Sequence, residues 1–194
     1  MFGAVKETAS LSEFGKISTG STPPMKVGEY YENKDIPFFR PSDMTENVSF
    51  LSHSECFIDK RAESISRIFE RGSVLTTCIG STIGKVGIAN LRGSCNQQIN
   101  FIEPNSKVNP VFIAYAIHAR KEQLIDIAHA PVVPIINKTE FSKFQILRPP
   151  LALQNEFAAF VEQLDKSKVV GKMQRISLEK IAHSDILSWR LALP

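Results

Sequence analysis

Residues 151–187 contain no proline and one interior glycine, Gly171, and their apolar residues return near heptad spacing. Leu153, Phe157, Phe160, Val161 and Leu164 form a first set, and Val169, Met173, Ile176 and Leu187 a second. The pattern predicts one helix of roughly 35 residues, about 50 Å long at 1.5 Å per residue. The apolar spacing slips between Leu164 and Val169, so the helix carries two faces in series. The first face, with Phe157 and Phe160, is expected to pack on the chain before it. The second needs another partner, because soluble monomers avoid a long exposed apolar stripe. Antiparallel self-association through Val169, Met173, Ile176 and Leu187 is the economical solution. Folding back onto its own domain is the alternative.

The chain upstream is punctuated differently. Ser10-Leu11-Ser12-Glu13 has capping-box spacing and predicts a short helical turn. Gly20-Ser21-Thr22-Pro23-Pro24 reads as a turn or extended loop, since consecutive prolines fix φ and disfavour helix before them. Between about residues 36 and 101 the apolar runs are short (IPFF, VSFL, SVLTTCI, KVGIAN, INFIE) and separated by Pro, Gly, Ser and Asn. They predict strands and hairpins. Asn109-Pro110 supplies an N-cap and an N1 proline for a helix reaching about residue 128. HAPVVPIIN is extended by its prolines, Asn137-Lys138-Thr139-Glu140 is a second capping box, and QILRPP is a last extended segment. The fold class expected is α+β: a mixed, β-rich domain over residues 1–150, followed over 151–194 by one long C-terminal α-helix.

Composition excludes several classes. With 43% hydrophobic and 22% charged residues the chain has enough apolar content for a packed core. No apolar run approaches the roughly 18 to 20 residues needed to span a bilayer, and MFGAVKETAS lacks the regions of a signal peptide. A cytoplasmic location is expected. Cys56, Cys78 and Cys95 show no zinc-ligand or CxxC spacing and read as reduced, packed thiols. The net charge of +3 says little by itself, but its distribution is uneven. Residues 29–59 hold seven acids against Lys34 and Arg40, whereas in 60–102 Lys60, Arg61, Arg67, Arg71, Lys85 and Arg92 face only Glu63 and Glu70. Such a basic stretch steers polyanions if it forms one surface. The alternative is a solvated face of scattered charge.

Gly80-Ser81-Thr82-Ile83-Gly84-Lys85 resembles the start of a nucleotide-phosphate loop. That loop needs four residues between the glycines, then Lys and a hydroxyl residue, then a helix whose N-terminus faces the phosphates. Here the spacing is one residue short, Val86 stands where the hydroxyl belongs, and VGIAN continues as strand and turn. The glycines are better read as permitting a tight strand-to-strand turn with positive φ. No methyltransferase cofactor loop, NPPY-like segment, HExxH, GxSxG or Cys-His pairing is found, and His53, His118, His129 and His183 lie in unrelated segments. No catalytic residue, metal site or cofactor is expected.

The order of segments resembles the specificity (S) subunits of type I restriction-modification systems, specifically one target-recognition domain with its trailing helix. The resemblance rests on Leu11-Ser12-Glu13 followed by Ile17-Ser18-Thr19-Gly20-Ser21-Thr22-Pro23, on Glu29-Tyr30-Tyr31, and on Ile36-Pro37-Phe38-Phe39-Arg40 with Ser42-Asp43-Met44. It continues in Gly72-Ser73-Val74-Leu75, Gly80-Ser81-Thr82-Ile83-Gly84-Lys85-Val86-Gly87-Ile88, Asn96-Gln97, and Pro149-Pro150-Leu151 with Gln154. It implies half of a specificity subunit, because the family's full subunit carries two such domains joined by antiparallel helices. Natural half-subunit, truncated gene and fragment are all compatible with the sequence.

By the same resemblance the chain catalyses nothing. It binds double-stranded DNA and directs modification subunits, which use S-adenosylmethionine to methylate adenine, and a restriction subunit, which uses ATP. Two copies paired through the helix would read two inverted half-sites. Phosphate contacts set register and base-edge contacts set sequence, with Arg and Lys suited to phosphate and guanine and Asn and Gln to adenine. The candidate DNA-binding residues are Lys85, Arg92, Arg61, Arg67, Asn96, Gln97 and Gln98, with Ser81, Thr82, Thr22 and Lys26 on loops. Each has a structural alternative: Asn96-Gln97-Gln98 also suits a turn cap, and Arg67 a pairing with Glu63 or Glu70. A protein-interaction module or silent specificity cassette is the competing function, and an enzyme with an unrecognised site is the third.

Overall fold

The short punctuated runs before residue 151 form strands, and the elements follow in the order β1 (Thr8–Ser10), α1 (Leu11–Phe14), β2 (Gly15–Thr19), β3 (Ile36–Phe39), β4 (Ser49–Leu51), β5 (Phe57–Ile58) and β6 (Ile68–Phe69). Next come β7 (Val74–Thr77), β8 (Val86–Ala89), β9 (Gly93–Cys95), β10 (Ile99–Pro104), α2 (Pro110–Ala119), α3 (Lys121–Asp126), α4 (Lys138–Lys143), β11 (Gln145–Leu147) and α5 (Leu151–Val170). The structure, a computed structural model, describes residues 7–129 and 133–170. The architecture is α+β, as the sequence predicts. Met173, Ile176 and Leu187 of the proposed self-association stripe lie outside the described residues; Val169 lies within α5.

A five-stranded sheet runs in the order β2-β10-β7-β8-β4 and a four-stranded sheet in the order β5-β3-β9-β6, while β1 pairs β11. Most pairs are antiparallel, but β4 pairs β8 and β3 pairs β9 in parallel. The sequence reading expected hairpins. Parallel partners instead need long crossovers, and no local turn signal announces them.

The five-stranded sheet is covered on both faces. Side chains alternate along a strand, so Val74 and Ile102 face one core with Phe14, Phe112, Ile113 and Phe141, and Leu75 and Phe101 face another with Phe39, Phe69 and Ile99. The first core lies under the helices and the second between the two sheets. In the second, the Phe69 ring stands 5.9 Å from Phe39 and 5.6 Å from Phe101, centroid to centroid.

Local signals explain the helix starts. The Ser10 N–H donates to Glu13 Oε1 at 2.9 Å, and the Asn137 N–H donates to Glu140 Oε2 at 3.0 Å while Glu140 N–H returns a bond to Asn137 Oδ1 at 3.0 Å. Asn109 Oδ1 accepts from Val111 N at 2.9 Å, with Pro110 opening the helix. The predicted helix to residue 128 is divided at Arg120, whose φ of −109° and ψ of 24° end α2 and begin α3. Arg120 turns inward there. Its Nη1 donates to the Gln145 carbonyl at 2.7 Å and its guanidinium lies over Phe144.

The start of α5 is bolted to this domain. Gln154 is buried; its Oε1 accepts from Asn109 N at 2.9 Å and its Nε2 donates to the Pro149 carbonyl at 2.8 Å. Gln154, Ala158 and Val161 form the buried stripe, and Phe157 packs edge-on against Phe112 and Tyr115. Phe160, expected on this face, is exposed. The stripe follows the helical repeat, and Gln154 joins it because its amide is satisfied on both sides.

Phe69→Ala removes the shared ring of the aromatic trio and is expected to cost about 3–5 kcal/mol, the range for emptying a fully buried phenylalanine site. Urea denaturation measures it, and a loss below about 1 kcal/mol would show that this core closes over the gap.

Candidate nucleic-acid interface

The register of β10 brings distant loops to one end of the five-stranded sheet. Asn100 pairs with Thr19 at the end of β2, and Ile99 with Thr77 at the end of β7. Val86 at the start of β8 pairs with Thr76, and Ser49 at the start of β4 with Gly87. Residues 20–27, 44–48, 78–85 and 96–98 therefore leave or enter the sheet at the same end. Residues 133–136 join them, because Gly80 N donates to the Pro134 carbonyl at 2.9 Å and Ile136 N to the Cys78 carbonyl at 2.9 Å.

Thr22, Lys26, Asn96, Gln97 and Gln98, nominated from sequence, meet at this end. Gly20 N donates to the Ile99 carbonyl at 2.8 Å and Ser21 N to the Cys95 carbonyl at 2.9 Å. A Cβ on Gly20 would stand 2.1 Å from the Asn96 oxygen, so only glycine allows the two loops to touch. Thr22 Oγ1 then donates to Gln97 Oε1 at 2.6 Å, Asn96 Nδ2 to Gln98 Oε1 at 2.9 Å, and Gln98 N to Asn96 Oδ1 at 3.1 Å. Asn96 therefore does cap its turn, while Gln97 and Thr22 stay exposed. The 20–27 loop is pinned further by the Tyr31 hydroxyl, which donates to the Pro23 carbonyl at 2.6 Å. It presents Lys26 and Met25, the latter 80% exposed.

Ser81, Thr82 and Lys85 lie on the neighbouring turn. Gly80 and Gly84 have φ of 80° and 85°, the left-handed region that the two-glycine spacing predicts. The backbone explains why this is no nucleotide loop. Gly80 N donates to Pro134, Ile83 N to Gly80, Gly84 N to Thr77 and Lys85 N to Thr82, so these amides are already spent inside the protein. Thr77 Oγ1 also bonds the Thr82 carbonyl, tying the turn across its base. The Lys85 side chain, 17% exposed, runs back under the surface. Its Nζ donates to the Met44 carbonyl at 3.2 Å and lies 3.3 Å from Glu46 Oε1. Lys121, which sequence reasoning did not nominate, donates to Glu46 Oε2 at 2.7 Å. Hydrogen bonds from Lys121 and then Lys85 hold the Glu46 carboxyl below the usual carboxylate range.

The remaining arginines divide. Arg67 belongs with this end: its N–H donates to Ser21 Oγ at 3.0 Å and its Nη1 to the Thr19 carbonyl at 2.7 Å. Glu63 and Glu70, its alternative partners, are taken by Arg92 at 2.5 and 3.1 Å. Arg92 follows β8 and so lies at the opposite end of the sheet. Arg61 lies beside the turn that follows the 20–27 loop, 3.7 Å from Glu29. Its Nε and Nη2 bond Asp59 at 2.9 and 2.8 Å and Nη2 also reaches Glu32 at 2.5 Å, which holds the buried Asp59 carboxyl well below the usual range. Both arginines are held by carboxylates, Arg92 at the far end of the sheet and Arg61 in a cluster with Asp59 and Glu32. The acidic and basic stretches seen in sequence thus pair across the fold and do not separate into two faces.

The described residues show no nucleophile with an adjacent base at this end. The cysteines are free thiols; burial pushes Cys78 up to about 12 and raises Cys95 as well, which leaves both protonated and inert. A shallow cavity of about 210 Å³ beside β4 is lined by Asp43, His53 and Glu55 among others, a sign of charge unsuited to phosphate.

The model of the type I restriction modification DNA specificity domain matches residues 5–179. The chain belongs to this family. The specificity subunit of the type I restriction enzyme HindI from Haemophilus influenzae is 27% identical over 74% of this chain and 32% of its own length. That of EcoR124I/EcoR124II from Escherichia coli is 28% identical over 82% of this chain and 40% of its own. Among solved structures, the HsdS subunit from Thermoanaerobacter tengcongensis aligns with a TM-score of 0.62 at 19% identity, over 84% of this chain and 38% of that one. A chain from a type I R-M complex reaches 0.66, also at 19% identity, over 96% of this chain and 44% of its own. The specificity domain therefore shares the fold of these subunits and spans less than half the length of each.

Gly20→Ala is expected to lower stability by about 1–3 kcal/mol, as overpacking against backbone does, whereas Gly28→Ala, whose Cβ meets nothing within 4 Å, should stay within about 0.5 kcal/mol. Thermal or urea unfolding of the two variants checks this; equal effects would show that the loop contact at Gly20 gives way.

Proposed function

We propose that this chain reads DNA sequence for a type I restriction-modification complex, and that methylation and cleavage are carried out by separate modification and restriction subunits. The observation that carries the reading is the gathering of Thr22, Lys26, Arg67, Gln97, Ser81 and Thr82 at one sheet end of a chain belonging to the specificity family. Hydroxyls and amides supply donors and acceptors to base edges and sugar-phosphate, and the rigid sheet fixes their spacing. The pinned loops suit readout, because a preorganised surface loses less entropy on binding. The chain has no helix among the described residues long and apolar enough to cross a membrane.

Self-association through the second half of the C-terminal helix belongs to the same proposal. The chain corresponds to 32% and 40% of relatives named as specificity subunits, and two copies related by a two-fold axis would present two inverted reading surfaces.

Binding of duplexes of varied sequence to the full chain, with and without modification subunits, is expected to give a sequence-dependent Kd. Its log-log salt slope should be negative, roughly −0.9 for each phosphate neutralised. Affinity that is flat across sequences under both conditions overturns the reading. Arg92→Ala, at the far end of the sheet, should leave DNA affinity unchanged, and Arg67→Ala should weaken it. Sedimentation through a concentration series should show a dimer; a monomer throughout removes the self-association.

A further inference from the structure

Three segments far apart in sequence deliver Glu46, Lys85 and Lys121 to one point beside the Gly80 turn. Lys121 Nζ stands 2.7 Å from one Glu46 oxygen and Lys85 Nζ 3.3 Å from the other. The lysines are the anchored members. Their side chains are 17% and 29% exposed, while Glu46 is 70% exposed. Lys85 is aimed by the Met44 carbonyl independently of Glu46. The Lys121 stem lies against Gly84 so closely that a Cβ there would come within 2.5 Å of its Cγ. Gly84 thus serves two ends: it takes the positive φ of the turn and leaves room for the Lys121 methylenes. Among the described residues, the Glu46 carboxylate bonds only these two lysines.

Two ammonium groups aimed at the two oxygens of one monoanion form a site for a phosphodiester, whose two non-bridging oxygens also share one negative charge. We propose that Lys85 and Lys121 bind a backbone phosphate of DNA, and that Glu46 occupies their site in the free protein as an internal competitor. Rotation of the Glu46 side chain into water vacates the site without moving the 44–48 loop, which is held by its own bonds from Thr45 N to Ser49 Oγ and from Thr45 Oγ1 to the Asn47 carbonyl. An exposed ion pair is weak enough to exchange in this way. The device lets non-specific duplex compete against an occupied site, so that loosely placed DNA gains less than DNA seated on the neighbouring polar loops.

This inference rests on the DNA-reading proposal, and the test separates the two. A short mixed-sequence duplex is titrated, over a salt series, into the full chain with its modification subunits. Glu46→Gln is expected to tighten binding several-fold. Lys121→Gln should weaken it and make the salt slope shallower, by no more than the roughly 0.9 that one whole phosphate is worth, and Lys121→Arg should retain it. The gain from Glu46→Gln should shrink when Lys121 is already Gln, because only Lys85 is then released. If wild type binds but a folded Glu46→Gln variant binds equally or more weakly, or if its gain persists undiminished without Lys121, the competitor model is overturned and DNA reading stands. If wild type binds no duplex, both fall.

Discussion

Strand β10 sets the position of everything at the polar end of the sheet. It is bonded on both sides, to β2 and to β7, and its residues 99–102 are fully buried. A one-residue slip would exchange Phe101 and Ile102 between the two cores and turn Asn100 against apolar neighbours, so register is strongly specified. Asn100 adds a polar check. Its Oδ1 accepts from Thr19 Oγ1 at 2.6 Å, directly across the pair that ends β2. With that register fixed, the 20–27 loop, the 96–98 turn and the Gly80 turn have no freedom to separate. The geometry on which the proposed DNA reading rests is therefore a consequence of core packing as much as of the loop residues themselves.

The charge pattern shows why a linear count misleads. Seven carboxylates in residues 29–59 and six cations in 60–102 suggest an acidic and a basic region. In the fold, Arg61 is consumed by Asp59, Glu32 and Glu29, Arg92 by Glu63 and Glu70, and Lys85 by Glu46. Ion pairs at exposed positions contribute little stability individually, but the Asp59 cluster is a network. Asn33 donates to Asp59 Oδ2 at 2.6 Å and Asp59 N–H donates to the Tyr30 carbonyl at 2.7 Å, which fastens the segment before β3 onto the four-stranded sheet. Three of those six cations are thus partly neutralised, which on the proposed reading leaves more of the discrimination to hydroxyls and amides held in place. Such a surface would favour distinguishing sequences over holding any duplex tightly.

What was legible in the sequence was local. Ser10 with Glu13, Asn137 with Glu140 and Asn109 with Pro110 announce their helix starts because a cap is written in four adjacent residues. The turn glycines at 80 and 84 and the strand runs around them were readable for the same reason. The parallel pairings of β3 with β9 and β4 with β8 were not, since nothing near Phe39 specifies Cys95 as its neighbour. The division at Arg120 and the burial of Gln154 depend on partners 25 and 45 residues away, at Gln145 and Asn109. Lys121 falls inside the helix expected up to residue 128, with nothing to single it out, and only the fold brings it to Glu46, 75 residues distant. The order of short segments carried the family, while the geometry of the interface required the three-dimensional pairing.

The C-terminal helix shows how one element can serve two surfaces. Its buried stripe toward the domain is Gln154, Ala158 and Val161, spaced to recur on one side of a straight helix. Beyond it the apolar residues of the sequence step by five, from Leu164 to Val169, where a continued stripe steps by three or four. A helix that continued one apolar stripe would have to lie along its own domain throughout. A broken spacing gives the sequence a second apolar set, which is open to a different neighbour. On the proposed reading that neighbour is a second copy, and the slip in apolar spacing then has a mechanical meaning: it releases the helix from the domain that anchors its first turns and assigns the remainder to holding two reading surfaces at a fixed separation.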